Sequence, residues 1–317
     1  MTGSKYNKTD HDVAHGIMFH HFYDEQHFIG QGAISVDQFE NIIEYYGDNL
    51  LPAHKWLDKA INNTLDNNHV CLTFDDALLC QYEVALPVME KYNLTAFWFV
   101  YSSVLDGGVE NLEIYRKFRT VYFSSIDEFY HAFFVMLEKS EYHDSIQHLL
   151  KNKYSHNDWK NFPFYSENDT KFRFIRDVAL GVEKYNQVMD LMMKSYNIDM
   201  QEFSSDLWMS VEHIQGLHSD GHVIGLHSHT HPTQISDLSV LEQEAEYKKN
   251  YDFLHAALGV RPRTVSHPCN SYNNDTLSIL RKFNIEMGFR ANMERHLFSE
   301  FEFPREDHAN VIKRIGG

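Results

Sequence analysis

The sequence has 317 residues, 43% of them hydrophobic, which suffices for one large α/β domain or two small ones with a buried core. Its 45 Asp and Glu against 28 Lys and Arg give a formal net charge of −17, which repels a phosphate backbone and argues against nucleic acid as a partner. No apolar run is long enough for a transmembrane segment, and Cys71, Cys80 and Cys269 form an odd set without framework spacing, as reduced thiols do.

The opening MTGSKYNKTDHD is polar and lacks the basic-then-apolar layout of a secretory signal, so a cytoplasmic location is expected. HGIMFHHF (15–22) reads as a first strand, and Ser35 followed by VDQFENIIEYY as a capped amphipathic helix. HVCLTF (69–74) reads as a second strand, residues 78–92 as a helix and AFWFV (96–100) as a third strand. This alternation predicts a parallel sheet or barrel with helices outside. Across 102–206 the rhythm is lost, and segments such as IDEFYHAFFVMLEK and KYNQVMDLMMKSYN repeat apolar residues at helical spacing, as in a helical insertion. Alternation resumes with a helix over 210–219 stopped by Gly221, a strand in HVIGLH, a long helix over 238–258, a strand at 264–266, a helix over 274–283 and a strand at 287–290. Residues 1–101 and 207–317 are expected to form one domain, because neither stretch alone has enough strands to close or cover a sheet.

Two segments carry chemistry. HVCLTF runs into Asp75-Asp76, two carboxylates at the carboxyl end of a strand, where α/β folds build their sites. Neighbouring side chains in extended backbone point opposite ways, so one carboxylate can bind metal while the other stays free; a cap for the next helix is the simpler alternative. In HSHTHP (227–232), His227 and His231 reach one side if the segment turns helically, and His229 faces away. Two histidines and a carboxylate are a common zinc set with a fourth position open; a His-rich polar loop is the alternative.

TFDD (73–76) and HSHTHP resemble the first two motifs of the polysaccharide deacetylase family, also called NodB-homology or carbohydrate esterase family four. GHVIGLH resembles its lead-in to the second motif, SHPCNSYN (266–273) a variant of its third, and MGFR (287–290) its fourth strand. The resemblance implies a distorted (β/α) barrel of seven strands, with Asp75 as catalytic base and Asp76, His227 and His231 as ligands of a divalent cation. Zinc is the first choice of metal, with cobalt, nickel and manganese as alternatives. Tyr272, Pro268 and Asn270 of the third motif become candidate substrate contacts. Phe97, Trp98, Phe99 and Tyr101 either stack on sugar faces or belong to the core. Cys269 lacks the neighbours of a nucleophile and reads as structural.

Two departures stand out. The arginine of the third motif is missing from SHPCNSYN, which leaves the residue that orients the base open. The late catalytic histidine is also missing from its usual place. In family members with rotated motif order, an N-terminal strand ending in Tyr-His supplies it; IMFHHF resembles that strand, making His20 the candidate general acid, with His21, His267 and His308 as rivals. LFSEFEFPRE (297–306) is a candidate wall with no readable role. The implied activity is removal of the N-acetyl group from an acetamido sugar. A cytosolic address points to a nucleotide- or lipid-linked sugar of surface polysaccharide synthesis, with the helical insertion shaping the pocket. A metal-dependent amidohydrolase of a non-sugar amide, or a silent carbohydrate-binding protein, are the other readings.

Overall fold

The computed structural model describes residues 12–156, 166–294 and 299–316; most of the N-terminal stretch and Leu297 and Phe298 of the candidate wall lie outside them. In chain order the elements are β1 (His15–Phe19), α1 (Val36–Tyr46), α2 (Ala53–Ile61), β2 (Val70–Asp75), a π-helical turn (Gln81–Ala85) running into α3 (Leu86–Lys91), and β3 (Phe97–Val100). Then come α4 (Asn111–Val121), α5 (Ile126–Glu138), α6 (His143–Lys153), α7 (Glu167–Phe174), α8 (Gly181–Ser195) and α9 (Met200–Phe203). The chain continues with α10 (Val211–Ser219), β4 (Val223–Leu226), α11 (Val240–Leu258), β5 (Thr264–Ser266), α12 (Asn274–Lys282), β6 (Met287–Phe289), β7 (Arg305–Asp307) and α13 (His308–Ile315). Two compact units result: the chain up to Glu110 with the chain from Asp206 onward, and Asn111–Ser205. Helices α2 and α13 and strand β7 had no counterpart in the sequence reading.

Local chemistry starts the helices where the sequence suggests. Ser35, Ser210 and Ser239 each accept from the backbone N–H three residues on, while Gln38, His213 and Glu242 reach back to the cap, closing three capping boxes.

All seven strands are parallel, in the order β6-β5-β4-β3-β2-β1-β7. The segment leading into β7 bonds back to β6, with Phe303 N donating to Gly288 O and Arg290 N to Phe303 O, so the edges meet in a nearly closed barrel. Alternation divides each strand. Ile17, Phe19, Leu72, Phe74, Trp98, Ile224 and Leu226 pack into the main core with the helices, while Cys71, Phe97, Phe99, Met287 and Phe289 face the other way. Trp56 of α2 fills one end of this interior, its ring 5.2 Å from Phe289 and 5.1 Å from Phe303. Phe97, Trp98, Phe99 and Tyr101 are therefore core residues, all buried. The interior is tight: a Cβ on Gly16 would lie 2.8 Å from Thr73 Cγ2 and 3.2 Å from Arg305 Cγ, so the glycine makes room for that arginine.

The helical unit has its own core. Phe129, Phe133, Phe172 and Tyr185 pack edge to face or tilted at 5.0 to 6.1 Å, and α8 also buries Val188, Met189, Met192 and Met193.

Candidate active site

Strand β2 delivers Asp75 at its last residue, and the chain then turns through two left-handed residues, Asp76 (φ 79°) and Ala77 (φ 53°). Such backbone is strained for residues with a Cβ, of order 1–3 kcal/mol each, and it collects at functional sites. The turn overrides the strand rule that sends neighbours to opposite faces. Both carboxylates face one cluster, with Asp75 Oδ2 and Asp76 Oδ2 each 3.9 Å from His20 Nε2.

The segment after β4 is likewise not the helical turn that the four-residue spacing suggested. Left-handed Ser228 (φ 62°) and His231 (φ 54°) reverse the chain, His231 N donates to Ser228 Oγ at 3.1 Å, and the rings of His227 and His231 come to 4.9 Å. His229 is turned elsewhere: its Nδ1 lies 3.0 Å from Ser102 Oγ, and its backbone N–H donates to Glu246.

Asp76, His227 and His231 offer ligand atoms that all lie within 4.8 Å of one another. Both imidazole Nε2 atoms are 3.4 Å from Asp76 Oδ1, yet that oxygen is buried and makes no hydrogen bond. His227 Nδ1 donates to Ser266 O at 2.8 Å, which fixes the tautomer and leaves Nε2 with its lone pair toward Asp76. An orphaned carboxylate oxygen facing two histidine nitrogens fits a divalent cation of the zinc type. Burial opposes charge on His227, but Asp75 and Asp76 outweigh it and raise its pKa; at His231 burial wins and the pKa is lowered. Burial also dominates at His20, lowering its pKa against the pull of the two carboxylates.

Asp75 stands apart from this set and is held by an arginine. Arg305 Nη1 donates to Asp75 Oδ1 at 2.7 Å and Nη2 to Oδ2 at 2.8 Å, a two-pronged clamp, while Nη2 also donates to Ser266 Oγ at 2.7 Å. Burial alone would raise the Asp75 pKa; Arg305, together with His227 and His20, more than offsets it, and the carboxyl is held below its usual range. The orienting cation therefore comes from β7 and not from the SHPCNSYN segment. The string FPRE contained this arginine, but nothing local marked it.

The other candidates separate. His267 is buried, donates to Phe301 O through Nε2 (2.9 Å), and burial takes its pKa down to about 4. His308 is buried with its ring nitrogens at Met18 O and Gly32 O, and His21 is buried beside His20. His20, half-exposed, is the one of the four within 4 Å of both carboxylates. Tyr272 donates to Glu302 and stacks on His267 at 4.1 Å, Asn270 Oδ1 accepts from Ala291 N, and Pro268 is buried. The Tyr272 hydroxyl and the Asn270 carbonyl oxygen are thus engaged within the fold. Cys269 is exposed in left-handed backbone (φ 50°), so it is not part of the core.

Residues 177–288 match the family model for polysaccharide deacetylase. That segment is similar to the polysaccharide deacetylase family. No curated protein matches the sequence significantly. By structure the chain is similar to the Streptococcus pyogenes deacetylase PplD in complex with acetate, at TM-score 0.55 and 15% identity over 97% of this chain and 99% of that one. It is similar to IcaB from Ammonifex degensii at TM-score 0.56 and 14% identity, covering 96% and 98% of the two chains. A de-N-acetylase from Aggregatibacter actinomycetemcomitans matches at TM-score 0.54 and 12% identity, covering 95% and 99%. At these identities the likeness establishes the deacetylase fold, a NodB-type barrel of seven parallel strands.

Proposed function

We propose that the chain is a metal-dependent hydrolase that removes the N-acetyl group from an acetamido sugar. The observation that carries this reading is the pairing of a three-residue ligand set, Asp76, His227 and His231, with a second carboxylate, Asp75, that is outside the set and clamped by Arg305. A binding site alone has no use for an oriented, unligated base, which speaks against a silent carbohydrate binder. The descriptions of two similar structures, one a deacetylase holding acetate and one a de-N-acetylase, support acetyl as the acyl group.

Held by those three side chains, the cation, zinc by the donor chemistry, would lower the pKa of water and polarise the acyl oxygen. Asp75 takes the proton as the water oxygen bonds to the acyl carbon, with Arg305 and Ser266 keeping its oxygens in place. His20 gives a proton to the sugar nitrogen as the C–N bond breaks, because an amide anion is too poor a leaving group to depart alone. The products are acetate and the free amino sugar.

We place this reaction in a reducing compartment, on a nucleotide- or lipid-linked sugar; the odd set of cysteines, Cys71, Cys80 and Cys269, outside any disulfide, supports that setting. Acetate release measured across nucleotide-linked, lipid-linked and polymeric acetamido sugars tests the substrate class, and activity confined to long polymers rejects the carrier-linked reading. For the mechanism, Asp75→Asn is expected to lose about 10²–10⁴-fold in kcat while binding one zinc per chain like the wild type. Zinc-loaded wild type that releases no acetate from any acylated substrate would reject the hydrolase itself.

A further inference from the structure

Gln81 is fully buried and begins the π-helical turn Gln81–Ala85 that follows the Asp75-Asp76 turn. Its side-chain amide has two N–H bonds and places both: Nε2 donates to His20 O at 2.8 Å and to Asp75 O at 2.6 Å. These carbonyls sit where the sheet lets go. The β1–β2 register ends with Phe19 opposite Phe74, so His20 and Asp75 are the next pair along the two strands. Beyond the last rung, twisted neighbouring strands diverge unless something ties them. The Gln81 amide ties them at the residues whose side chains meet, His20 Nε2 lying 3.9 Å from Asp75 Oδ2.

Two further observations point the same way. The adjacent Cys80 accepts from Phe22 N at 3.4 Å, so the turn after the aspartate pair holds the His20 segment at two points. Gln81 Oε1 is buried without a hydrogen-bond partner, a cost that a purely packing residue of the same size, such as Met, does not carry. A π turn, one residue wider than an α turn, is a recurrent feature of functional sites.

We propose that Gln81 is a positioning residue that sets the spacing between the general acid His20 and the base Asp75. The inference rests on the roles given to those two residues under the proposed function. Arg305 fixes the side chain of Asp75; Gln81 fixes the backbone of His20 relative to it.

The test compares two acetyl donors. An acetamido sugar needs a proton on its leaving nitrogen, whereas p-nitrophenyl acetate departs as a stable anion and does not. In Gln81→Met, kcat on the sugar amide should fall at least about ten-fold with KM changed less than about three-fold, and p-nitrophenyl acetate hydrolysis should stay within about three-fold of wild type, the pattern expected for lost general-acid catalysis. His20→Ala serves as the reference for that selective loss, and zinc content should be unchanged in both. Equal losses on the two donors, or no loss on the amide, overturn the role of Gln81 while leaving the deacetylase reading intact. A wild type inert on both donors overturns that reading instead. If Gln81→Met does not fold by circular dichroism, Gln81→Glu, the same size with at most one donor, is read in its place; failure of both to fold makes Gln81 a packing residue and ends the proposal.

Discussion

The clamp between Asp75 and Arg305 joins residues 230 positions apart, both buried. A buried ion pair contributes little net stability when intact, yet removing one partner strands the other charge. Arg305→Met is therefore expected to lose about 3–5 kcal/mol in denaturant unfolding and to lower kcat by more than its effect on KM. Arg305→Lys keeps the charge but not the two-pronged geometry, and should recover stability better than turnover. Equal turnover in wild type and both variants would remove Arg305 from the mechanism. At this scale the sequence marked His227 and His231, because clustered histidines at a strand end are hard to place by chance, and marked Asp75 and Asp76 chiefly through the resemblance of TFDD to a family motif. It marked neither Arg305 nor Gln81, whose partners lie far away or on the backbone.

Away from the site, His222 lies just before β4. Its Nδ1 accepts from Ala96 N and Trp98 Nε1, both at 3.0 Å, which requires the neutral ring, and burial lowers its pKa from 6.5 to about 4. Between those values the unfolded chain holds the proton and the folded one does not. The stabilisation is therefore complete above pH 6.5 and lost as pH falls toward 4, by about 3 kcal/mol for this group alone. His222→Gln should flatten the dependence of melting temperature on pH between 6.5 and 5; His267, also held down to about 4, supplies part of the remaining slope. An unchanged slope would show that His222 titrates normally in the folded protein. The same scale explains the errors of sequence reading. Periodicity found α1, α10 and α11 and the central strands, while β7 is three residues long in an aromatic and acidic stretch that alternation could not single out.

Over the molecule as a whole, the site draws on four strand ends: His20 after β1, Asp75 and Asp76 at β2, His227 and His231 after β4, and Arg305 on β7. Only the folded chain assembles this ligand set, so zinc should bind the native state alone and shift its stability by mass action, about 2.7 kcal/mol at a hundred times Kd. Zinc is expected to raise the melting temperature by several degrees, a chelator to reverse the gain, and His231→Ala to abolish it. A zinc-independent wild-type melting temperature would count against the ligand set. The helical unit Asn111–Ser205 has an aromatic and methionine core of its own, and its start at residue 111 differs from the 102 suggested by composition, because residues 102–110 stay with the barrel unit. The linear order of residues determined the strand and helix rhythm, the helix caps and the two ligand-bearing motifs, since these depend on neighbours within a few positions. The tertiary structure decided which way the two aspartates face, which histidine joins them and which arginine clamps Asp75. Those outcomes turn on left-handed backbone at Asp76, Ser228 and His231 and on the closing of β7 against β1, and both are properties of strands packed together rather than of any one segment.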